Sequence, residues 1–235
     1  MTDLAAQVLV IAKAPVPGRV KTRLTPPFSP AEAAALAEAA LSDTLDAVRG
    51  TRVVRRVLAL AGEPGGWLRD GFEVIAQRGA GLDERITAAM WDTYSGLPVP
   101  TVLIGMDTPQ VTPGLLEDAA APLARAEADA AFGAAEDGGF WMLGLRRPDP
   151  GLMLGVPMSE PATGRAQLGR LAQAGLRVHE APTLVDVDTI TDAAQVARLA
   201  PASRFATALA ATLGAPIQPD EVAGPGMAAE RATAR

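Results

Sequence analysis

The sequence predicts an α/β fold in which helices cover both faces of a mainly parallel sheet. Short runs of β-branched and other apolar residues alternate with longer segments of helical periodicity, and this alternation is typical of parallel sheets. The chain has 235 residues and is 49% hydrophobic, which is enough for a large core. No Ser/Gly-rich linker divides residues 1–214, so we expect a single domain there.

The predicted elements follow one another in a regular order. The first strand includes Val8–Ile11, and Ser29 with Glu32 predicts a capping box at the start of a helix that ends at Gly50. Further strands are expected at 53–60, 72–77, 101–105, 129–134, 140–145 and 176–180, and further helices at 82–94, 113–125, 163–174, 191–199 and 203–213. Residues 215–235 are rich in Ala, Pro and Gly without periodicity, which predicts a disordered tail.

Charge and composition exclude several classes of protein. The net charge of −6 argues against a partner that is a nucleic acid or an anionic membrane, since either needs a broad basic surface. The chain has no cysteine, which excludes disulfides, thiolate metal sites and a cysteine nucleophile. It has no long apolar span and no signal-like start, so we expect a cytoplasmic protein. The sequence does not predict its oligomeric state.

A basic loop after the first strand is the strongest functional signal. Two prolines and Gly18 prevent the strand from continuing, and four cations then stand close together: Lys13, Arg19, Lys21 and Arg23. They lie at the carboxyl end of the strand, where ligands bind in open α/β sheets. The loop lacks the glycines of a dinucleotide fingerprint or a Walker A loop, so side chains would have to bind the phosphate. The alternative is a solvated basic turn.

Three aspartates are expected near that loop. Asp107 follows the strand at 101–105 directly, while Asp186 and Asp188 lie two residues apart, which in extended backbone places both on one face. Carboxylates beside a phosphate site imply a divalent cation, because bare negative charge would repel the ligand. The alternative is that Asp107 and Asp188 belong to a turn or cap a helix.

Two further features carry less information. The acidic turn Glu136-Asp137-Gly138-Gly139 permits either a plain hairpin or the close approach of a ligand. The single histidine, His179, has no marked partner, and we expect a structural or surface role for it.

Four ordered motifs resemble those of the bacterial DUF2064 family, also called transferase 1 associated with radical-SAM/selenodomain proteins or arsenosugar-biosynthesis-type glycosyltransferases. They are the segments 12–24, 105–109, 136–144 and 186–189, and the resemblance covers about residues 8–200. It implies a GT-A fold, which is Rossmann-like and belongs to nucleotide-diphospho-sugar transferases.

The resemblance also implies roles for individual residues. The loop from Lys13 to Arg23, including Gly18, becomes the nucleotide-phosphate site. Asp107 becomes the principal ligand of Mg²⁺ or Mn²⁺, with Asp188 as the second ligand. Asp107 and Lys21 are then the catalytic residues, and the turn of Asp137, Gly138, Gly139 and Phe140 faces the acceptor.

Three functions remain open from the sequence. The first is glycosyl transfer from a nucleotide sugar to a small acceptor, and the second is nucleotidyl transfer from a nucleoside triphosphate with release of pyrophosphate. The third is non-catalytic nucleotide binding as the partner of another enzyme. Pro-Val-Pro-Gly at 15–18 replaces the glycine-rich first loop usual in nucleotidyltransferases of this fold, which favours glycosyl transfer.

Overall fold

The structure, a computed structural model, describes residues 2–214, so the predicted tail at 215–235 lies outside the described residues. Its strands are Leu4–Lys13 (β1), Val53–Ala61 (β2), Glu73–Ala76 (β3), Thr101–Ile104 (β4), Ala130–Ala135 (β5), Phe140–Leu145 (β6) and Val178–Leu184 (β7). Its helices are Pro30–Gly50 (α1), Leu82–Gly96 (α2), Pro113–Ala124 (α3), Thr163–Gln173 (α4), Ile190–Leu199 (α5) and Arg204–Leu213 (α6).

The seven strands form one sheet in the order β3-β2-β1-β4-β6-β5-β7. Strand β6 runs antiparallel to its neighbours β4 and β5, and all other pairs are parallel. The predicted α/β class with a mainly parallel sheet is confirmed. The carboxyl ends of β1, β4 and β5 therefore meet the beginning of β6 at one edge of the sheet.

Helices cover both faces of the sheet, as predicted. Val10 packs in a cluster with Leu41 of α1 and Leu116 of α3, whereas its neighbour Leu9 packs in a second cluster with Met90 of α2. Adjacent strand residues point to opposite faces, so one continuous apolar run supplies both cores. Within residues 2–214, none of the helices combines the length and the apolar character that crossing a bilayer requires.

The predicted start of α1 is confirmed in detail. The Ser29 hydroxyl accepts a hydrogen bond from the Glu32 amide at 3.3 Å, and the Glu32 carboxylate accepts one from the Ser29 amide at 2.7 Å. This reciprocal pair satisfies two amides that the first helical turn leaves without a partner.

Strand β7 departs from the prediction, which ended it at Glu180. The strand continues to Leu184 and contains Pro182. Proline has no amide hydrogen, so it interrupts a central strand, but β7 lies at the edge of the sheet and pairs with β5 alone.

A third apolar cluster joins the basic loop to the late helices. Leu24 and Phe28 pack with Val185, Val187 and Phe205 of α6. Because Val185 and Val187 alternate with Asp186 and Asp188, burial of the valines turns the aspartates to the other side of the segment. This packing places the acidic segment beside the basic loop.

Candidate functional site

An open cavity of about 770 Å³ lies at the carboxyl edge of the sheet. The basic loop, the end of β4, the hairpin before β6 and the acidic segment all contribute to its walls. Most of the predicted site residues line it: Lys13, Arg19, Lys21, Arg23, Asp107, Asp137, Gly139, Phe140 and Asp188. Gly18 and Gly138 are not among the lining residues, and the space around a Cβ on Gly18 is open.

Lys21 lines the cavity, and its ammonium group is directed at two carboxylates. Its ammonium nitrogen lies 2.7 Å from an Asp107 carboxylate oxygen and 3.8 Å from an Asp188 oxygen, and it also donates to the Val187 carbonyl. Only 6% of the side chain is exposed. The backbone of Lys21 is left-handed, with φ 47°, a conformation that few residues other than glycine adopt. The contacts of the ammonium group help to hold this unfavourable backbone conformation in place.

The other loop cations differ in how free they are. The Arg23 guanidinium lies 2.6 Å from an Asp188 oxygen, although 70% of the side chain is exposed. Within residues 2–214, neither Lys13 nor Arg19 forms a side-chain ion pair or hydrogen bond, and both line the cavity. Lys13 and Arg19 are the cations best placed to meet an incoming anion.

Neither Asp107 nor Asp188 acts as a helix cap. The Thr112 hydroxyl caps α3 by accepting from the Leu115 amide, and Thr189 forms a capping box with Asp192 at the start of α5. The carboxylates of Asp107 and Asp188 do not cap these helices, and both contact the Lys21 ammonium group. One cation can therefore contact Asp107 and Asp188 at the same time.

Asp186 is a site residue that the sequence showed but did not assign. Burial raises the pKa of Asp186 to about 7, and the nearby negative charges of Asp107 and Asp137 act in the same direction. The Lys21 cation opposes them. The two-residue spacing between Asp186 and Asp188 was the signal in the sequence that pointed to Asp186. The sequence did not show that Asp186 would be buried. In the described residues, no group of three or more Asp, Glu, His or Cys side chains is arranged so that it could hold a metal ion.

The hairpin between β5 and β6 is held by the segment that precedes α4 and by the first turn of that helix. The Asp137 carboxylate accepts from the Gly139 amide at 2.8 Å, and the Gly138 carbonyl accepts from the Gly164 amide at 2.8 Å. Gly138 has φ 90°, and a Cβ there would overlap the Pro161 carbonyl oxygen. The group that comes close to the backbone of Gly138 is therefore Pro161 of the protein itself.

The wall opposite the hairpin contains two polar residues without a predicted role. The Gln77 side-chain amide nitrogen donates to the carbonyls of Ala12 at 2.7 Å and Ala59 at 2.9 Å. These bonds fix the amide and leave its oxygen as an acceptor. Arg85 of α2 also lines the cavity, and its position on a helix face gave no sequence signal.

Residues 44–160 match a protein family described as an uncharacterized protein conserved in bacteria, DUF2064. No curated protein matches the chain.

Several solved structures are similar to this one. A protein of Desulfovibrio desulfuricans G20, named as a candidate nucleotide-diphospho-sugar transferase, is 27% identical, with 91% of this chain and 95% of that chain covered and a TM-score of 0.79. A cytidylyltransferase of Leptospira borgpetersenii serovar Hardjo-bovis is 11% identical, with 93% and 99% covered and a TM-score of 0.54. CMP:2-keto-3-deoxy-manno-octonic acid synthetase in complex with CTP is 14% identical, with 84% and 98% covered and a TM-score of 0.52.

Proposed function

Because the chain belongs to the bacterial DUF2064 family, which its residues 44–160 match, we propose that it is a nucleotide-dependent transferase. In this proposal it transfers a glycosyl group from a nucleotide sugar to a small acceptor. The Desulfovibrio protein of the same fold, 27% identical, is named as a candidate for that class of enzyme, which supports the proposal.

One observation carries the proposal. Lys13 and Arg19, which form no side-chain ion pair within residues 2–214, line one cavity at the carboxyl edge of the sheet together with the carboxylates of Asp107 and Asp188. A nucleoside diphosphate needs cations around its phosphate oxygens. Carboxylates in the same cavity would hold a divalent cation beside those oxygens. A solvated basic turn would not need the acidic half of this arrangement.

The carboxylates suit Mg²⁺ or Mn²⁺ in their chemistry and placement. Both ions prefer oxygen ligands, and Mg²⁺ is commonly held by one or two carboxylates together with phosphate oxygens and water. The contacts of the Lys21 ammonium group with both carboxylates support this assignment, because they place Asp107 and Asp188 within reach of one cation. When bound, the metal ion would neutralise charge that develops on the leaving diphosphate.

The protein's own cations provide the remaining stabilisation in this proposal. The bond from the anomeric carbon to the phosphate oxygen breaks, and the nucleoside diphosphate leaves with the electron pair. The acceptor oxygen forms the new bond to that carbon and releases its proton to water. Lys13 and Arg19 would bind the phosphates most strongly as this negative charge grows, which lowers the barrier.

Nucleotidyl transfer is the second candidate, because the Leptospira protein of the same fold is named a cytidylyltransferase. The two reactions differ in the leaving group, which is a nucleoside diphosphate for glycosyl transfer and pyrophosphate for nucleotidyl transfer. A thermal-shift screen of nucleotides and nucleotide sugars, with and without magnesium, would identify the donor, since ligands that bind the folded state raise Tm. Mass spectrometry of the products then separates the two reactions. Binding without turnover by the wild type would instead indicate a non-catalytic nucleotide-binding protein.

Replacing Arg19 tests the phosphate site with little effect on the fold. Arg19→Ala should weaken nucleotide binding by about tenfold or more, because a charge-assisted contact contributes about 1.5 to 3 kcal/mol. Arg125→Ala is the matched control, since Arg125 is an exposed arginine paired with Glu127 and does not line the cavity. Calorimetry that finds the same affinity in both variants would refute the assignment of Arg19.

A further inference from the structure

We infer that Gln110 is a positioning residue for the metal ion of the proposed function. Gln110 does not line the cavity. The inference rests on the proposed function, because it concerns the distance between Asp107 and Asp188, the two carboxylates assigned to the metal ion. It follows from the way in which the two segments that carry these carboxylates are joined.

The sheet alone does not bring the two carboxylates together. Asp107 follows β4, whereas Asp188 belongs to residues 185–189, the acidic segment that follows β7. Strands β6 and β5 lie between β4 and β7, so three strand spacings of about 14 Å in total separate the two. Contacts outside the sheet must therefore fix the acidic segment beside Asp107.

Two hydrogen bonds fasten the acidic segment to the loop after β4. The Val187 amide donates to the Asp107 carbonyl at 3.0 Å, and the Gln110 side-chain amide nitrogen donates to the Val185 carbonyl at 2.6 Å. Among the described residues, no other hydrogen bond joins these two segments. A single bond would leave the acidic segment free to turn about one point, and the second bond fixes its direction.

Apolar packing also holds the acidic segment, but with less precision. Val185 and Val187 pack in one cluster with Leu24 and Phe28. Apolar burial is not directional, so it keeps the valines out of water without fixing the neighbouring carboxylates in one place. Directional contacts are needed for that.

The ion pairs of the acidic segment do not replace the bond from Gln110. The Lys21 ammonium group contacts both carboxylates, but under the proposed function a metal ion takes its place. The Arg23 side chain, which pairs with Asp188, is 70% exposed. Exposed ion pairs contribute little, because solvent and salt screen them.

The Gln110 amide contributes more to position than to stability. Its oxygen is buried and accepts no hydrogen bond from the described protein. A buried acceptor without a partner costs free energy, which offsets much of what the bond to Val185 contributes. The main effect of the side chain is therefore to hold the Val185 carbonyl, and with it the acidic segment, at a fixed distance from the loop after β4.

Metal binding is sensitive to that distance. Mg²⁺ requires oxygen ligands at about 2.0 to 2.1 Å in nearly ideal geometry, so a small shift between two carboxylates weakens binding. Replacing a residue that orients metal ligands typically reduces the affinity for the metal by roughly 10- to 100-fold. Gln110 would act on Asp107 and Asp188 in this way, through the backbone that carries them.

The test measures Mn²⁺ binding to the full chain by electron paramagnetic resonance. Gln110→Met has a side chain of similar length without the amide donor, so Mn²⁺ should bind about tenfold more weakly than to the wild type, or weaker still. Gln167→Met is the matched control. The Gln167 amide nitrogen donates to one carbonyl, that of Leu152 at 2.8 Å, and its oxygen is also buried without a partner in the described chain.

The control variant should bind Mn²⁺ as the wild type does, since Gln167 lies on α4 and does not line the cavity. Chemical denaturation establishes that both variants are folded under the conditions of the titration. Equal Mn²⁺ affinity in the wild type and Gln110→Met would overturn the inference, and so would an equal loss of affinity in both variants. If Gln110→Met does not fold, Gln110→Asn and Gln167→Asn form the pair, because asparagine keeps the amide but is one methylene shorter, and the same outcomes apply.

A failure of the proposed function gives a different result. If the wild type binds no Mn²⁺, the metal site itself is wrong and the inference fails with it. Mn²⁺ binding that does not depend on Gln110 would leave the metal site in place and reject the positioning role alone.

Discussion

At the scale of single residues, Lys21 sets the charge balance of the site. Its ammonium group neutralises Asp107 and Asp188 and lowers the electrostatic cost of burying Asp186 nearby. A side chain that is 6% exposed and held by three contacts is part of the acidic side of the cavity. If the proposed function is right, a divalent cation takes the same place between the two carboxylates that Lys21 occupies.

This position predicts that Lys21 competes with the metal ion. Lys21→Met keeps most of the side-chain volume and removes the charge, so Mn²⁺ alone should bind more tightly, on the order of tenfold. Lys13→Met is the control, since Lys13 lines the same cavity without an ion pair to another described residue. Titration of Mn²⁺ by electron paramagnetic resonance measures both variants. Weaker or unchanged Mn²⁺ binding in Lys21→Met would show that the ammonium group does not occupy the metal position.

Asp107 gives a second prediction at this scale. Nucleotide and magnesium should bind cooperatively, each tightening the other by roughly 5- to 150-fold, because each screens repulsion that the other would meet. Asp107→Asn has nearly the same size without the charge, so this coupling should largely disappear while the fold survives. Calorimetric titration of nucleotide with and without magnesium, at matched ionic strength, measures the coupling. The same metal effect in wild type and variant would exclude Asp107 as a ligand.

At the scale of elements, two structural units fix the walls of the cavity. The cluster of Leu24 and Phe28 with Val185 and Val187 joins the basic loop to the acidic segment. At the other end, Gly138 lies directly against Pro161, so the hairpin and the segment before α4 form one unit. The geometry of the β5–β6 hairpin therefore depends on the absence of a Cβ at Gly138.

Gly138→Ala should disturb that unit more than a glycine with similar backbone strain. Gly175→Ala is the matched control, because Gly175 also has positive φ, 69° against 90°, and has open space around it. The control should lose about 1 kcal/mol of unfolding free energy from the strained conformation alone. Gly138→Ala should lose on the order of 3 kcal/mol, since the methyl group also overlaps the chain. Chemical denaturation measures both, and equal losses would contradict the contact.

At the scale of the whole molecule, a cluster of ion pairs lies at the edge of the sheet opposite the cavity. The Asp129 carboxylate, just before β5, accepts from Arg146 at 2.6 Å and from Arg177 at 2.8 Å. These residues lie at the far ends of their strands from the cavity and tie together β5, β6 and β7. Hydrogen bonds from Arg177, and then from Arg146, hold the pKa of Asp129 well below its usual range.

That shift predicts a loss of stability in acid. A carboxyl group whose pKa is lowered by folding stabilises the protein above its unfolded pKa of about 4, and this contribution disappears as the pH falls towards the folded value. Asp129→Asn should cost about 1 to 2 kcal/mol at pH 7, a modest value because solvent screens the partly exposed arginines. Denaturation between pH 2 and pH 7 should show the two proteins converging below about pH 4. A constant difference across that range would show that the charge of Asp129 is not the cause.

The sequence by itself determined the fold class, the order of elements and the edge of the sheet where the cavity lies. These features follow from local causes: apolar periodicity defined the strands and helices, Ser29 and Glu32 defined the start of α1, and strand ends placed Lys13 and Asp107 at one edge. The arrangement of the site, in contrast, depends on contacts between residues that are far apart in the sequence. Arg23 pairs with Asp188 across 165 positions of the chain, and no periodicity or spacing encodes that contact.

Only the tertiary structure decided which charges are free and which are already paired. In the sequence, Lys21 and Arg19 are equivalent members of one basic loop. In the folded protein, the Lys21 side chain is buried against Asp107 and Asp188, whereas the Arg19 side chain is exposed in the cavity. The elevated pKa of Asp186 has the same origin, because burial and neighbouring charges arise only when distant segments pack together. Residue type determines which chemistry is available, and packing determines where the charge is exposed to a ligand.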